Sequence, residues 1–335
     1  MFRNFISGAA VDINESGQIA GHVDFSDGST RAFLWQEGAG LTDLGTLDGP
    51  RKYVHTFATA INDSGKIVGF VNDAGNGGDR AFFWEDGRMI DLGTLEGGER
   101  SRAEDINNAG QIVGWSENQE VAVRAFIWDD GQMTDLGALE PNLVSEATGI
   151  NDTGQVVGSS SVPGRSSRHA TLWQDGKIFD LGTLNPNNGN DPKDPYGMRD
   201  WSDAAAINAA GQIVGTASTG EGESPFGDSH PFLWQTGQMT DLSQFGGHYA
   251  LPHDINDTGL VVGGGPVFGD DDWENAHAVL WQDGVMIDLT TQGWNGCCAL
   301  ALNEGGQIVG VGETERGEHR PVIWQDGVMR ELDML

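Results

Sequence analysis

The amino-acid sequence predicts an all-β protein, a seven-bladed β-propeller with four-stranded antiparallel blades. One observation is composition: 51 of 335 residues are glycine, and Asp and Asn are abundant. Such a composition favours short strands and tight turns over helices. The other observation is an internal repeat. The pattern Ile-Asn-x-x-Gly, with Leu for Ile in the last copy, occurs seven times at spacings of 44 to 57 residues. Seven repeats of this length define one domain, residues 1–335.

Each repeat contains four short apolar runs separated by turn residues. The first run ends in the Ile-Asn motif, the second resembles Ile-Val-Gly, the third resembles Ala-Phe-Leu-Trp, and the fourth resembles Met-x-Asp-Leu-Gly. A four-stranded sheet cannot bury both of its faces alone, so neighbouring sheets must stack, and radial stacking leaves few open edges. The motifs begin at Ile13, Ile61, Ile106, Ile150, Ile207, Ile255 and Leu302, and the third runs end at Trp35, Trp84, Trp128, Trp173, Trp234, Trp281 and Trp324. We assign these tryptophans to packing between blades.

The units resemble the HAF repeat, a family of bacterial repeats associated with extracellular proteins and named for a His-Ala-Phe core. That core appears here as His169-Ala170-Thr171, His230-Pro231-Phe232 and His277-Ala278-Val279, and elsewhere with Arg in place of His, as in Arg31-Ala32-Phe33. The resemblance covers nearly the whole chain and implies a secreted or extracellular protein. It implies no particular activity, because a repeat defines a scaffold and not a site.

The charge of the chain excludes several kinds of partner. The formal net charge is -32, from 50 acidic and 18 basic residues. A nucleic-acid backbone would be repelled, so nucleic-acid binding is not expected. No apolar stretch is long enough for a membrane span. The first ten residues lack the features of a signal peptide, so secretion would require a leader outside this sequence. We expect a monomer.

The connections between strands predict which face carries function. The Asn-x-x-Gly turns and the turns between the third and fourth strands are short and uniform, and in an up-and-down blade they emerge on the same face. The other connections vary in length and share the opposite face, where function usually resides. The variable segments include 48–57, 96–102, 185–202, 246–253 and 292–298.

Histidine, tyrosine and arginine residues in these variable segments form a candidate catalytic set. Removal of a proton from a uronic acid, followed by elimination, requires a base, a proton donor and a cation that neutralises the carboxylate. The alternative is that these are ordinary polar loop residues. The candidate catalytic residues are Tyr53, His55, Arg199, His248, Tyr249 and His253.

Aromatic and basic residues outside the repeat pattern form a candidate ligand-binding set. An aromatic face matches the C–H face of a sugar ring, although a loop tryptophan can also fill a small core of its own. The candidate ligand-binding residues are Arg51, Arg100, Trp115, Tyr196, Trp201, Trp273 and Trp294.

These residues favour a propeller that binds an extended polysaccharide at its variable-loop face. If the protein is an enzyme, a polysaccharide lyase using Tyr, His and Arg is favoured over a glycoside hydrolase. The alternatives are a non-catalytic module that binds protein or a cell surface, and a glycoside hydrolase using Asp48, Asp200 or Asp271. Calcium is the one cofactor considered, because residues 270–274 and 185–194 are rich in oxygen ligands. Neither stretch has the spacing of an EF-hand, so solvated acidic loops are favoured over metal sites.

Overall fold

The fold was examined in a computed structural model. It describes residues 5–47, 54–73, 78–120, 123–187, 194, 196–222, 226, 228–243, 249–266, 276–290 and 294–333. These residues form 28 β-strands and contain no α-helix. Consequently no helix within the described ranges is long and apolar enough to cross a membrane.

The strands follow one another in groups of four, which we number as units one to seven. The first strands are β1 (Phe5–Ile13), β5 (Val54–Ile61), β9 (Ser101–Ile106), β13 (Ser145–Ile150), β17 (Ser202–Ile207), β21 (Leu251–Ile255) and β25 (Trp294–Leu302). The second strands are β2 (Ile19–Phe25), β6 (Ile67–Asp73), β10 (Ile112–Ser116), β14 (Val156–Ser161), β18 (Ile213–Ser218), β22 (Val261–Gly265) and β26 (Ile308–Thr314). The third strands are β3 (Thr30–Gln36), β7 (Gly78–Glu85), β11 (Arg124–Asp129), β15 (Arg168–Gln174), β19 (Ser229–Gln235), β23 (His277–Gln282) and β27 (His319–Gln325). The fourth strands are β4 (Gly40–Asp43), β8 (Arg88–Asp91), β12 (Gln132–Asp135), β16 (Lys177–Asp180), β20 (Gln238–Asp241), β24 (Val285–Asp288) and β28 (Val328–Glu331).

Within each unit, consecutive strands pair antiparallel. Units three to seven are separate four-stranded sheets, whereas units one and two are joined in an eight-stranded sheet. That junction is a single parallel pairing of Thr30 with His55. The four-stranded antiparallel organisation predicted from the sequence is therefore confirmed.

The two uniform turns have the backbone conformations that their sequences predict. Between the third and fourth strands, Asp86 and Gly87 both have positive φ (50° and 78°), as a two-residue type I′ turn requires. Asp175-Gly176 and Asp326-Gly327 repeat the same geometry. In the turn between the first two strands, the backbone N–H of Gly17 donates to the carbonyl of Asn14, and Gly17 has a φ of 74°.

The asparagine of each first turn joins its unit to the next. The side-chain nitrogen of Asn14 donates to the backbone carbonyl of Asn62 at 3.0 Å, and Asn62 donates in the same way to Asn107. The series continues until Asn303 donates to the carbonyl of Asn14, which returns it to unit one. The intermediate members are Asn107, Asn151, Asn208 and Asn256, each bonded to the next. We call these seven residues the asparagine ring.

The first strands lie innermost. Each contacts the first strands of the units before and after it, and β1 contacts β25. The turns that carry the asparagine ring line one cavity of about 210 Å³. The first strands therefore surround a central axis, which we call the channel, and the asparagine ring lies at one end of it.

Apolar residues fill the spaces between neighbouring units. Trp35, Trp173, Trp281 and Trp324 are each at least 95% buried, which agrees with the packing role expected of the repeat tryptophans. Several also bond to an adjacent unit: the indole N–H of Trp35 donates to the carbonyl of Asp333 at 2.8 Å, and that of Trp324 donates to Leu289.

The His or Arg at the start of the third strand pairs with the acidic residue at the end of the fourth. The imidazole of His169 lies 2.8 Å from Asp180, and that of His277 lies 2.7 Å from Asp288. The carboxylate of Asp180 also accepts from the backbone N–H of Gly182, so it terminates the fourth strand. The same pairing joins Arg31 to Asp43, Arg80 to Asp91, Arg124 to Asp135, His230 to Asp241, and Arg320 to Glu331.

Candidate functional site

The ends of the first strands bring several sequence-predicted residues to one level of the channel. Each unit has a residue six positions before the Ile of its Ile-Asn motif. This residue lies at the end of the first strand that is farther from the asparagine ring. We call the opening there the channel mouth. The mouth position is occupied by Ser7, His55, Arg100, Val144, Trp201 and Tyr249 in units one to six. Four of these six were predicted as site residues.

The channel lining follows from the alternation of side chains along the first strands. In β17, Ser202 and Ala204 are buried between units, whereas Asp203 between them is partly exposed. In β9, the partly exposed Arg102 alternates with the buried Ser101 and Ala103 in the same way. Because alternate side chains of a strand point to opposite sides, the partly exposed set faces the open channel.

Three residues expected in loops lie instead in first strands. His55 is in β5, His253 is in β21, and Trp294 begins β25. The first strands extend beyond the repeat pattern because pairing with the second strand continues: His55 pairs with Asn72, and Trp294 pairs with Thr314. The expectation that these residues belong to loops was therefore wrong.

His55 is held by a chain of hydrogen bonds at the channel mouth. Its Nδ1 lies 3.1 Å from the hydroxyl of Thr30, which lies 2.8 Å from Asp24. Asp24 also accepts from the hydroxyl of Ser7 at 2.6 Å. A carboxylate can only accept, so the Thr30 proton points to Asp24 and the His55 Nδ1–H donates to Thr30. In the neutral imidazole, this arrangement leaves Nε2 of His55 with its lone pair.

His253 and Tyr249 are engaged elsewhere. The Nδ1 atom of His253 lies 2.8 Å from the carbonyl of Ala299, and burial lowers the pKa of the imidazole. The hydroxyl of Tyr249 donates to Asp228 at 3.3 Å. Trp294 packs against the apolar cluster between units six and seven, which includes Val262.

Arg100 and Trp115 are also engaged within the protein. The Nε of Arg100 donates to Glu117 at 2.8 Å. The indole of Trp115 is covered by the guanidinium of Arg102, 5.6 Å from the ring centre, and Arg102 is itself bonded to Asp79. One face of Trp115 is therefore occupied, which opposes its predicted role as a sugar platform.

Glu104 lies beside this group and titrates near neutrality. Burial raises the pKa of its carboxyl to about 7, against the opposing effect of Arg102. The nearby carboxylate of Glu146 raises it further. This part of the channel is consequently a network of alternating charges.

A pocket of about 650 Å³ lies on the variable face, between units four and five. One wall is apolar and consists of Trp201, Met198 and Phe226. The indole N–H of Trp201 donates to the carbonyl of Phe226 at 2.9 Å, which fixes the orientation of its ring. The pocket size lies within the range of small-molecule sites. The remaining lining residues are Ser161, Arg165, Ser166, Ser167, Arg168 and Asp203.

Two arginines dominate the polar wall of the pocket. Arg165 is paired with Asp200, a fully buried carboxylate that also accepts from the hydroxyl of Thr183. The Nε of Arg168 lies 2.7 Å from Asp203. Burial raises the pKa of Asp203 even though this guanidinium opposes the shift. The involvement of Asp200 in this pairing opposes its predicted role as a hydrolase acid.

The segment before β17 forms the rim of the pocket. The carbonyl of Tyr196 accepts from the backbone N–H of Ser166 at 3.1 Å, and the tyrosine side chain is exposed. The guanidinium of Arg199 donates to the carbonyl of Gly222, and its backbone N–H donates to Asp194. Of the sequence-predicted residues, Trp201 thus lines this pocket, and Tyr196 and Arg199 lie in the segment beside it.

The sequence analysis missed Arg165, Ser167, Arg168, Asp203 and Phe226. A signal was present, because residues 165–168 read Arg-Ser-Ser-Arg in a chain with only 18 basic residues. Residues 165–167 fall in the connection between β14 and β15, and Arg168 begins β15. This connection is short and was not counted among the variable segments.

Several predicted residues lie outside the described ranges: Tyr53, His248, Arg51 and Trp273, together with Asp48, Asp271 and the acidic stretch 270–274. Among the residues that are described, no three His, Cys, Asp or Glu side chains are grouped so that they could hold a metal ion.

Comparison with known proteins identifies the fold. Residues 40–142 match the model of a protein family of unknown function, DUF3466. No curated protein matches the chain. The β-propeller domain of the Trilobed protease from Pyrococcus furiosus, described as having an open velcro topology, aligns over 98% of both chains with 13% identity and a TM-score of 0.60.

Two larger structures align in a similar way. The acylaminoacyl peptidase of Pyrococcus horikoshii aligns over 98% of this chain and 52% of its own, with 13% identity and a TM-score of 0.55. A structure from a study of two prolyl endopeptidases aligns over 98% of this chain and 50% of its own, with 8% identity and a TM-score of 0.63. This chain spans about half the length of these two proteins. The shared architecture shows that the chain has a β-propeller fold.

Proposed function

We propose that this chain is a seven-bladed β-propeller that binds an extended polysaccharide at its channel mouth. The blade count is supported by the seven four-strand units and by the asparagine ring, which returns from Asn303 to Asn14. Contact between β1 and β25 supports closure of the disc. The acidic composition and the HAF-like repeats support an extracellular location and a monomeric state.

The observation that carries the proposal is the pocket between units four and five. Trp201 and Phe226 provide an apolar surface, and the hydroxyls and guanidinium groups of the opposite wall provide hydrogen-bond donors. A sugar ring needs this combination, because its C–H face packs on an aromatic ring while its hydroxyls need polar partners. The pocket lies beside the channel mouth, to which Trp201 also belongs, so a longer chain could continue across it.

Replacement of Trp201 by alanine is expected to weaken polysaccharide binding at least tenfold, because it removes the aromatic surface of the pocket. Isothermal titration with a panel of neutral and acidic oligosaccharides would measure this effect. A matched control is Phe179→Ala, since Phe179 is an exposed aromatic residue on the outer strand β16. Equal affinity of the W201A variant and the native protein would contradict this role for the pocket.

A second candidate function, polysaccharide elimination, is favoured by the environment of His55. Its Nε2 could remove the proton next to the carboxylate of a uronic acid. The C4–O4 bond would then break, the leaving oxygen would take a proton, and a C4–C5 double bond would remain. The hydrogen bonds from His55 through Thr30 to Asp24 stabilise the ring in the required tautomer.

We expect Thr30→Val to lower any elimination rate by roughly tenfold to a hundredfold, and His55→Gln to abolish it, since loss of an oriented base costs roughly 10² to 10⁴ in rate. Ultraviolet absorbance of the unsaturated product, followed across pH, would measure both. If the native protein binds acidic polysaccharides but forms no such product, it is a binding module and elimination is rejected.

A further inference from the structure

Arg168 differs from the other arginines near the channel in how it meets its carboxylate. Arg100 and Arg102 each hold their acidic partner, Glu117 and Asp79 respectively, through Nε and a terminal Nη atom together. Arg168 instead contacts Asp203 through Nε, and its Nη1 approaches Glu146 only to 3.9 Å. Its side chain is 53% exposed. Asp203 thus fixes the stem of Arg168, and the two Nη groups remain as a planar fork in the pocket wall.

Ser167, next to this fork, carries a polar group that the described protein atoms do not satisfy. The residue is only 8% exposed, and its hydroxyl has no hydrogen-bond partner among the residues that the structure describes. A buried hydroxyl without a partner is destabilising, so native proteins rarely retain one without a reason. Ser167 lines the same pocket as Arg168 and Trp201.

We infer that this pocket recognises a sugar unit that bears an oxyanion, a carboxylate or a sulfate ester. Two oxygens of the anion would accept from the Nη groups of Arg168, and the sugar ring would pack on Trp201. The Ser167 hydroxyl, which is enclosed in this structure, would reach the same unit by rotation about its Cα–Cβ bond. This inference rests on the proposed polysaccharide-binding function and specifies the charge of the unit that enters the pocket.

Because the whole protein is acidic, recognition of an anionic sugar unit depends on the groups that contact it directly. A formal charge of -32 repels a polyanion at long range. At about 0.15 M salt the screening length is roughly 8 Å, so a short acidic oligosaccharide experiences mainly the groups that it touches. The Arg168 fork can therefore select an anionic unit although the protein is acidic.

The test compares ligands that differ only in the anion. Trigalacturonic acid, its methyl ester and a sulfated galactose trisaccharide would be titrated into the native protein at about 0.15 M salt. We expect at least one anionic ligand to bind ten times more tightly than the methyl ester. A preference for the free acid identifies a carboxylate, and a preference for the sulfated ligand identifies a sulfate. Because this comparison uses the native protein, it does not depend on the folding of a variant.

Variants then assign the selectivity to the fork. Arg168→Ala should reduce binding of the preferred anionic ligand to the level of the ester. Arg168→Lys should recover only part of it, since an ammonium group lacks the planar fork. Arg330→Ala is the matched control, because it removes the same charge from the outer strand β28 and should leave selectivity unchanged.

The two proposals fail in distinguishable ways. If the methyl ester binds as tightly as both anionic ligands, the inference about the oxyanion is wrong and sugar binding stands. If the native protein prefers an anionic ligand and the Arg168→Ala variant keeps that preference, other residues bind the anion and the inference is also wrong. If no oligosaccharide in a broad panel binds, the proposed function fails.

Discussion

Replacement of Asn107 by alanine is expected to lower the free energy of unfolding by about 3 kcal/mol or more. The Asn107 side chain is 4% exposed. Its oxygen accepts from the backbone N–H of Gln111, and its nitrogen donates to the side chain of Gln111 and to the carbonyl of Asn151 in the next unit. Alanine would leave buried donors and acceptors unpaired and would interrupt the asparagine ring. Urea unfolding followed by tryptophan fluorescence would measure the loss.

The neighbouring residue provides a matched control. Asn108 is exposed and also bonds across units, to Asp63 and Asp152. The corresponding residue of unit five is Ala209, so the turn accommodates alanine at this position. Asn108→Ala should therefore cost less than about 1 kcal/mol, as is typical of a surface substitution. Similar losses of unfolding free energy in the two variants would show that a buried hydrogen bond of the asparagine ring contributes no more to stability than an exposed one.

Removal of the His169 side chain is expected to cost about 2 to 3 kcal/mol near pH 6, and this effect should depend on pH. Burial lowers the pKa of His169, but its hydrogen bonds to Asp180 and Asp200 outweigh that effect and raise the pKa to about 9. The same interactions hold the pKa of both carboxyl groups below the usual range, although burial opposes this. The three groups form one partly buried charge network beside Arg165.

The direction of the pH dependence follows from these shifts. A histidine whose pKa is raised on folding stabilises the protein fully below its unfolded pKa of about 6.5, and this contribution is lost as the pH rises through about 9. The carboxyl groups contribute above about pH 3.8 and lose their contribution as the pH falls through their folded values. The stability difference between native protein and His169→Ala should therefore decline between about pH 6.5 and 9.

His277→Ala is the matched control for this experiment. His277 occupies the same position in unit six, pairs with Asp288 alone among the residues that the structure describes, and has a side chain that is 26% exposed. Such a pair contributes less than about 1 kcal/mol. Chemical unfolding of both variants at several pH values would provide the comparison. A pH-independent difference for His169→Ala would contradict the assigned charge network.

The repeat-level features of the fold could be predicted because they depend on local chemistry. Asp-Gly at 86–87 requires a tight turn, and the recurrence of Trp35 and its equivalents at one strand position requires burial. The structure adds the partners of these residues. The side-chain amide of Asn14 reaches Asn62, 48 residues away, and no local rule assigns that bond.

The channel lining could not be predicted because each first strand contains a β-bulge near the Ile-Asn motif. In unit two, the pairing register shifts between Ala58 and Ala60. The glycine of the second strand allows this close approach, since a Cβ on Gly69 would lie 2.0 Å from the carbonyl oxygen of Phe57. A bulge interrupts the simple alternation of side chains along a strand. Counting residues in the sequence therefore gives the wrong set of side chains facing the channel.

The pocket was hidden for a different reason. Its walls come from three separate segments, around Arg165, Trp201 and Phe226, and only Trp201 departed visibly from the repeat. Ser167 ends a short connection and Arg168 begins β15, and the one local signal is the Arg-Ser-Ser-Arg sequence at residues 165–168. Their importance arises from the contact between units four and five, which is a property of the assembled fold.

The formal charge of the molecule includes buried carboxyl groups of the first strands, which ionise less readily than exposed ones. Burial raises the pKa of Asp105 and of Asp254 to about 6 and raises that of Asp12 well above its usual value. Glu104, with a pKa of about 7, adds a fourth such group. In a mildly acidic medium these interior groups take up protons while exposed carboxylates remain ionised. The sequence-derived value of -32, which counts every carboxyl group as ionised, therefore overstates the charge carried by the interior.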